Sequence, residues 1–145
     1  MASDSELARL DSFQRHFLQE LPMTEEDAFL DFNFLTPTLR RRISVLGFAH
    51  KIALGLGHPL LGTLFPTKDQ GGTKVFEEEL FRCTYFRESL FHRNLAGILW
   101  YYNIFSSALR SATSVYAFQS VLTQQVRTKV EDRHPWRDSF NPREQ

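Results

Sequence analysis

Three consecutive arginines, Arg40-Arg41-Arg42, open the stretch TPTLRRRISVLGFAHK, residues 36–51, and are the side chains of this chain best suited to hold an anion. A guanidinium presents a planar fork of donors that matches a phosphate or a carboxylate. On a helix three adjacent residues fan over about 200°. Arg40 shares one stripe with Ser44, Gly47 and Lys51, and the small residues between the charges would let a phosphate backbone approach. Arg40, Arg41, Arg42 and Lys51 are therefore the candidate nucleic-acid-binding residues. A second reading pairs the arginines within the chain, with Glu25, Glu26, Asp27 or Asp31. Both readings answer one electrostatic problem, because cations at a helix N-terminus are unfavourable and call for an anion nearby.

Other chemistries find less to work with. GLGHPLLG has glycines at 55, 57 and 62, but it follows a helix, whereas a phosphate loop links a strand to a helix. The histidines, at 16, 50, 58, 92 and 134, form no i, i+4 pair, so no metal site is expected. His50 lies on an apolar face and reads as a hydrogen-bonded core residue. Cys83 stands near Arg82 and Arg87, which would lower a thiol pKa, yet a buried structural thiol is the simpler reading. Glu77-Glu78-Glu79 points three ways on a helix and reads as a solvated face. No catalytic constellation emerges, and neither a cofactor nor a metal is expected.

The elements that must carry these residues are helical. Leu7, Leu10, Phe13, Phe17 and Leu21 recur at helical spacing after a capping box at Ser3–Glu6, and Pro22 ends that helix. Thr24 caps a short second helix with Glu25, Glu26 and Asp27 at its positive end. Thr36-Pro37 starts the third, which is apolar nearly all round after Ile43 and stops at Gly55. Residues 67–74, TKDQGGTK, read as a flexible loop, and residues 75–88 are ambiguous between helix and extended chain. From Ser89, the residues Phe91, Leu95, Ile98, Tyr102 and Phe105 mark one helix face. A last helix, capped by Ser111 or Thr113, carries Val115, Phe118, Leu122 and Val126. The expectation is one all-α domain over residues 1–133, an irregular bundle of about five helices around a central helix 37–54, followed by an irregular tail 134–145.

The 145 residues suit one core, and 14 of them are Phe. Seventeen bases balance 17 acids, which argues against a dedicated nucleic-acid binder. The charge is unevenly spread: residues 1–34 hold eight acids and two bases, and residues 35–74 hold six bases and one acid. One cysteine, an acidic N-terminus without an apolar signal core, and no run of about 18 apolar residues point to an intracellular protein of nucleus or cytoplasm without membrane contact.

Several short motifs then align. FNFLTPTLRRRISVLGFAHKIALGLGHPLLGTLFP contains Arg41-Arg42, Leu46-Gly47, His50-Lys51, Leu54-Gly55, Pro59 and Leu64-Phe65-Pro66. Further on come Ser89-Leu90-Phe91, Tyr102-Asn103, Val115, Phe118-Gln119 and Leu122, and the end reads PWRDSFNPR. This set resembles the region after the polymerase domain of non-LTR (LINE-type) retrotransposon reverse transcriptases, over about residues 20–143. The sequence departs where the family has Leu-Pro after Tyr-Asn, since Phe105-Ser106 stand here, and at Asn141, where the family has Ser. The first departure would let the helix from Ser89 run on.

The resemblance implies a segment beyond the catalytic palm of an RNA-directed DNA polymerase. Asp27, Asp31 and Asp132 stand apart, so the paired carboxylates of two-metal phosphoryl transfer are missing, and the chain is not expected to polymerise DNA. The expected role is a non-catalytic segment or relic that packs on a polymerase domain and contacts an RNA or DNA backbone. The alternative is a helical protein–protein interaction module without nucleic-acid contact, presenting an apolar patch on the helix of Trp100, Tyr101 and Phe105.

Overall fold

The computed structural model describes residues 4–82 and 90–141, the side chains of Asp4, Arg82 and residues 90–94 excepted. Ser3, Cys83, Arg87, Ser89 and the side chains of Phe91 and His92 thus lie outside the described residues. Eight helices are described: α1 Asp4–Glu20, α2 Glu25–Phe32, α3 Pro37–Ala53, α4 Pro59–Leu64, α5 Glu79–Arg82, α6 Leu90–Asn103, α7 Ser107–Arg110 and α8 Val115–Glu131. Two strands, β1 Thr67–Gln70 and β2 Thr73–Phe76, pair antiparallel. The chain is mostly helical, but it is not purely all-α.

That hairpin replaces the loop expected over 67–74. Its register sets Thr67 against Phe76 and Gln70 against Thr73, leaving Gly71-Gly72 as a two-residue turn. Both glycines have positive φ, 61° and 81°, which a turn matching the twist of a tight hairpin requires. The sequence cue was present, but Lys68, Asp69 and Lys74 masked the strand alternation. Val75 and Phe76 are buried on β2, whereas Leu80 and Phe81 belong to α5.

The described residues form two compact units: 4–43 with 122–140, and 44–82 and 90–121 with 141. The division falls inside α3 and α8, so each of these helices contributes to both.

In the first unit Thr24 caps α2 as its spacing predicts, accepting the Asp27 N–H at 3.0 Å. Asn33, in the left-handed conformation at φ 55°, ends it. Arg127 donates to the Phe29 and Leu30 carbonyls, at 3.3 and 2.9 Å, and lies over the Phe29 ring. A cation at those orphan carbonyls also complements the helix dipole. Leu18, Phe29, Leu35, Leu39 and Ile43 make the core with Leu122, Val126 and Val130. Trp136 and Phe140 join them, at 5% and 8% exposure, so the irregular C-terminal segment is part of this core. The apolar stripe of α1 does not turn inward: Leu10, Phe13, Phe17 and Leu21 are exposed, and Gln14 and Leu18 face the core instead.

The second unit is built on Leu46, Ala49, His50, Ile52, Val75, Phe76, Leu99, Tyr102, Leu109 and Phe118. Gly55, at φ 71°, stops α3, and the Leu56 N–H reaches back to the Lys51 carbonyl at 3.1 Å. The helix from Leu90 ends at Asn103 and does not run on through Phe105. Ser106 caps a new short helix by accepting the Leu109 N–H at 3.3 Å. Arg110, buried to 8% exposure, closes the end of α6 by donating to the carbonyls of Asn103 and Phe105 and to Thr73 Oγ1. The carbonyl end of α6 stabilises a guanidinium that meets no carboxylate among the described residues. Ser114, rather than Ser111 or Thr113, caps α8, accepting the Ala117 N–H at 3.1 Å.

Candidate nucleic-acid interface

The arginine row lies in the first unit, and Lys51 in the second. Arg40 is exposed; its guanidinium lies over the Phe34 ring at 5.3 Å and reaches Gln14 Oε1 at 3.4 Å. Arg41 and Arg42 are half-buried. Arg42 donates to the main-chain carbonyls of Arg137 and Ser139, at 3.3 and 3.2 Å, and so ties α3 to the C-terminal segment. Lys51 is exposed.

The acids named as internal partners do not serve Arg40 or Arg42. Glu25, 6% exposed, receives Arg137 Nη2 at 2.8 Å and Nε at 2.9 Å, with Arg15 Nε at 3.8 Å from its other oxygen. Glu26 accepts from Arg137 Nη2 and from Trp136 Nε1, both at 3.1 Å. Asp27 is engaged by its own cap, Thr24. For Arg40 and Arg42 the reason is geometric: the C-terminal segment lays Trp136 and Arg137 on α2, and these bond to Glu25 and Glu26.

The start of α3 nonetheless has its anion. Asp11, from α1, accepts the Thr38 N–H at 3.0 Å and the Thr38 hydroxyl at 2.6 Å. A carboxylate on the first turn answers the helix dipole that three arginines oppose. Asp11 lies 27 residues upstream, where no local spacing rule could link it to Thr38.

Glu26, Val130, Arg133, His134, Pro135, Trp136, Arg137 and Asp138 line an open cleft of about 490 Å³ in the same unit. Its Glu26, Trp136 and Arg137 are already bonded to one another. Among the described residues no three His, Cys, Asp or Glu side chains cluster as a metal would require, and no helix is long and apolar enough to cross a membrane.

The other motif residues meet in the second unit. His50 is fully buried and stacks on Phe118 with centroids 4.3 Å apart at 9°. Its Nε2 lies 2.9 Å from the Ala112 carbonyl, which can only accept, so Nε2 carries the proton. Nδ1 then accepts from the Tyr102 hydroxyl at 2.9 Å. Burial holds the imidazole below its ordinary pKa, against the opposing bond to Ala112. Burial also pushes the Tyr102 phenol up to about 12, with Arg110 acting the other way. Both shifts favour the neutral forms, in which the hydroxyl donates to Nδ1 and Nε2 donates to the carbonyl.

Gly47 is there for space. A Cβ at this position would sit 2.8 and 2.9 Å from Cδ and Cγ of Gln119. Asn103 uses its whole amide on β2: Oδ1 accepts the Phe76 N–H at 2.8 Å and Nδ2 donates to the Phe76 carbonyl at 2.7 Å. Gly47 and His50 thus meet Tyr102, Phe118 and Gln119 across more than 50 residues of chain. Periodicity could place each on a helix, but could not supply these partners. Comparison with protein-family models, with curated proteins and with solved structures returns no match.

Proposed function

We propose that this chain is a non-catalytic helical segment or relic of a non-LTR retrotransposon reverse transcriptase, of the kind that lies beyond the polymerase domain, and that it works by packing on a polymerase domain. The observation that carries this reading is the use made of the motif residues. His50, Tyr102, Asn103 and Phe118 bond or stack with one another or with β2, and Gly47 makes room for Gln119. A set of motifs spent on holding a fold suits a positioning segment better than an active site. In this reading the protein acts in nucleus or cytoplasm. Contact with an RNA or DNA backbone is assigned to the exposed Arg40 of the first unit and, separately, to the exposed Lys51 of the second, while Arg42 donates to the carbonyls of Arg137 and Ser139.

Two binding measurements test it. The full chain is titrated into a purified LINE-type polymerase domain, and saturable binding is expected; no binding overturns the polymerase role. A labelled single-stranded RNA is then titrated at low salt. Arg40→Ala with Lys51→Ala should weaken binding and flatten its salt dependence. Equal affinity for the variant and the parent chain overturns the backbone contact. The second reading, an interaction module without nucleic-acid contact, is favoured by the exposed apolar side chains of α1 rather than by the α6 patch. Trp100 is 48% exposed there, but it packs edge-on against Phe81, and Tyr101 and Phe105 are half-buried against each other.

A further inference from the structure

The outer face of α1 combines the wrong polarity for solvent with a firm attachment on its other side. Leu10, Phe13, Phe17 and Leu21 are 50%, 70%, 56% and 49% exposed. The spacing of three and four residues keeps Leu10, Phe13 and Phe17 on one helix face, and Leu21 follows directly after the last residue of α1. The helix cannot simply roll this stripe inward. Asp11 is bonded to Thr38, Gln14 Nε2 donates to the Leu35 carbonyl at 3.3 Å, and Leu18 is buried at 3% exposure. The inner face is therefore spoken for, and the stripe is presented outward by the packing itself.

We propose that this face is a self-association surface, on which α1 of a second copy packs antiparallel. The symmetry of the helix itself carries the choice of partner. Leu10 and Leu21 are eleven residues apart, three turns and about 20° of rotation. Phe13 and Phe17 lie symmetrically between them. An antiparallel pair centred near residue 15 sets Leu10 against Leu21 of the second copy and Phe13 against Phe17, twice over, as a two-fold interface requires. Arg9 and Glu20 are also eleven residues apart, so they flank the stripe on the same side near its two ends. Both are exposed, and neither forms an ion pair among the described residues. A pair centred on residue 15 sets Phe13 directly against Phe17 and brings Leu10 to Leu21, and Arg9 to Glu20 of the second copy, within one residue of exact opposition. A parallel two-fold pair would put the flanking Arg9 and Glu20 of the two copies on opposite sides of the seam and form neither charge pair.

The area agrees with a weak dimer. With about 150–250 Å² per aromatic side chain, Phe13 and Phe17 leave roughly 250 Å² open, and the two leucines raise this to roughly 400 Å² per copy. That is as large as the biggest apolar patch of an ordinary monomer. Two such faces with their charged flanks bury on the order of 1,000 Å², at the low end of specific interfaces, and a dissociation constant of about 10–100 µM is expected. This surface is independent of the polymerase reading, which concerns a different partner.

Sedimentation equilibrium of the full chain from about 1 to about 300 µM, a range that brackets this constant, tests the proposal. The average mass is expected to rise from 16.9 kDa towards twice that value. Phe13→Glu with Phe17→Glu should leave a folded monomer, checked by circular dichroism, because neither side chain belongs to the core. Arg9→Glu should weaken the dimer several-fold, and Glu20→Arg added to it should restore the affinity. A monomer throughout the range overturns the proposal. So does a dimer that survives the two Phe→Glu changes, or a failure of the charge exchange to restore association, since each removes the face or the register argued here.

Discussion

Removing the Tyr102 hydroxyl should cost far more than one oxygen atom suggests. Tyr102 is 1% exposed, and its hydroxyl is the donor to His50 Nδ1 at 2.9 Å. Tyr102→Phe leaves that nitrogen a buried acceptor without a donor, a penalty of about 1–3 kcal/mol. His50→Phe keeps a ring against Phe118 but strands two groups, the Tyr102 hydroxyl and the Ala112 carbonyl, so about 2–5 kcal/mol is expected. The double variant strands only the Ala112 carbonyl, because the other two partners leave together. Its cost should therefore fall short of the sum of the single costs by about 2–5 kcal/mol. Urea unfolding at pH 7.5, followed by fluorescence and circular dichroism, measures all four corners of this cycle. Additivity within about 0.5 kcal/mol would refute the bond between the two side chains and, with it, the assigned imidazole tautomer.

Three further substitutions probe separate features. Gly47→Ala should destabilise by about 1–2 kcal/mol through its overlap with Gln119, but in a Gln119→Ala background it should stabilise by up to about 1 kcal/mol, as the better helix former; the sign reversal is read in urea midpoints. Arg137→Ala leaves Glu25 buried with only Arg15 Nε nearby, at 3.8 Å, and should lower stability by about 2 kcal/mol, less than a fully buried pair would cost because Arg137 is itself half-exposed. Arg133 sits at φ 56° just past α8, where glycine is favoured, so Arg133→Gly should raise the thermal midpoint, with a gain of about 1 kcal/mol.

The parts of the fold that follow local rules were legible in the sequence. Thr24 caps α2, Thr36-Pro37 opens α3, and Gly55 closes it, because each is decided within one helical turn. His50 read correctly as a buried hydrogen-bonded residue from its place on an apolar face. The failures occur where a distant segment decides. Asp11 rather than a nearby acid answers the start of α3, Arg137 takes Glu25 and Glu26, and Arg42 is drawn to the C-terminal carbonyls. The outward turn of the α1 stripe was hidden for a related reason. Periodicity shows that Leu10, Phe13 and Phe17 share a face, but not that Asp11, Gln14 and Leu18 are the ones with partners. The hairpin at 67–76 was missed although Gly-Gly is a hairpin turn signal, because four-residue strands carrying Lys68, Asp69 and Lys74 show little alternation.

The central claim is that His50 is a buried structural element of the second unit, held in its neutral form by the Tyr102 hydroxyl and the Ala112 carbonyl. Side-chain ¹⁵N NMR of His50 across an acid titration tests this most directly. A pKa held low by burial favours folding above the ordinary histidine value of about 6.5, and that contribution is lost as pH falls through the lowered value of the folded protein. The account predicts a protonated Nε2 and an unprotonated Nδ1 at pH 7, with the ring staying neutral to lower pH than an exposed histidine would. A protonated Nδ1, or a free titration at the ordinary value in the folded protein, would contradict it.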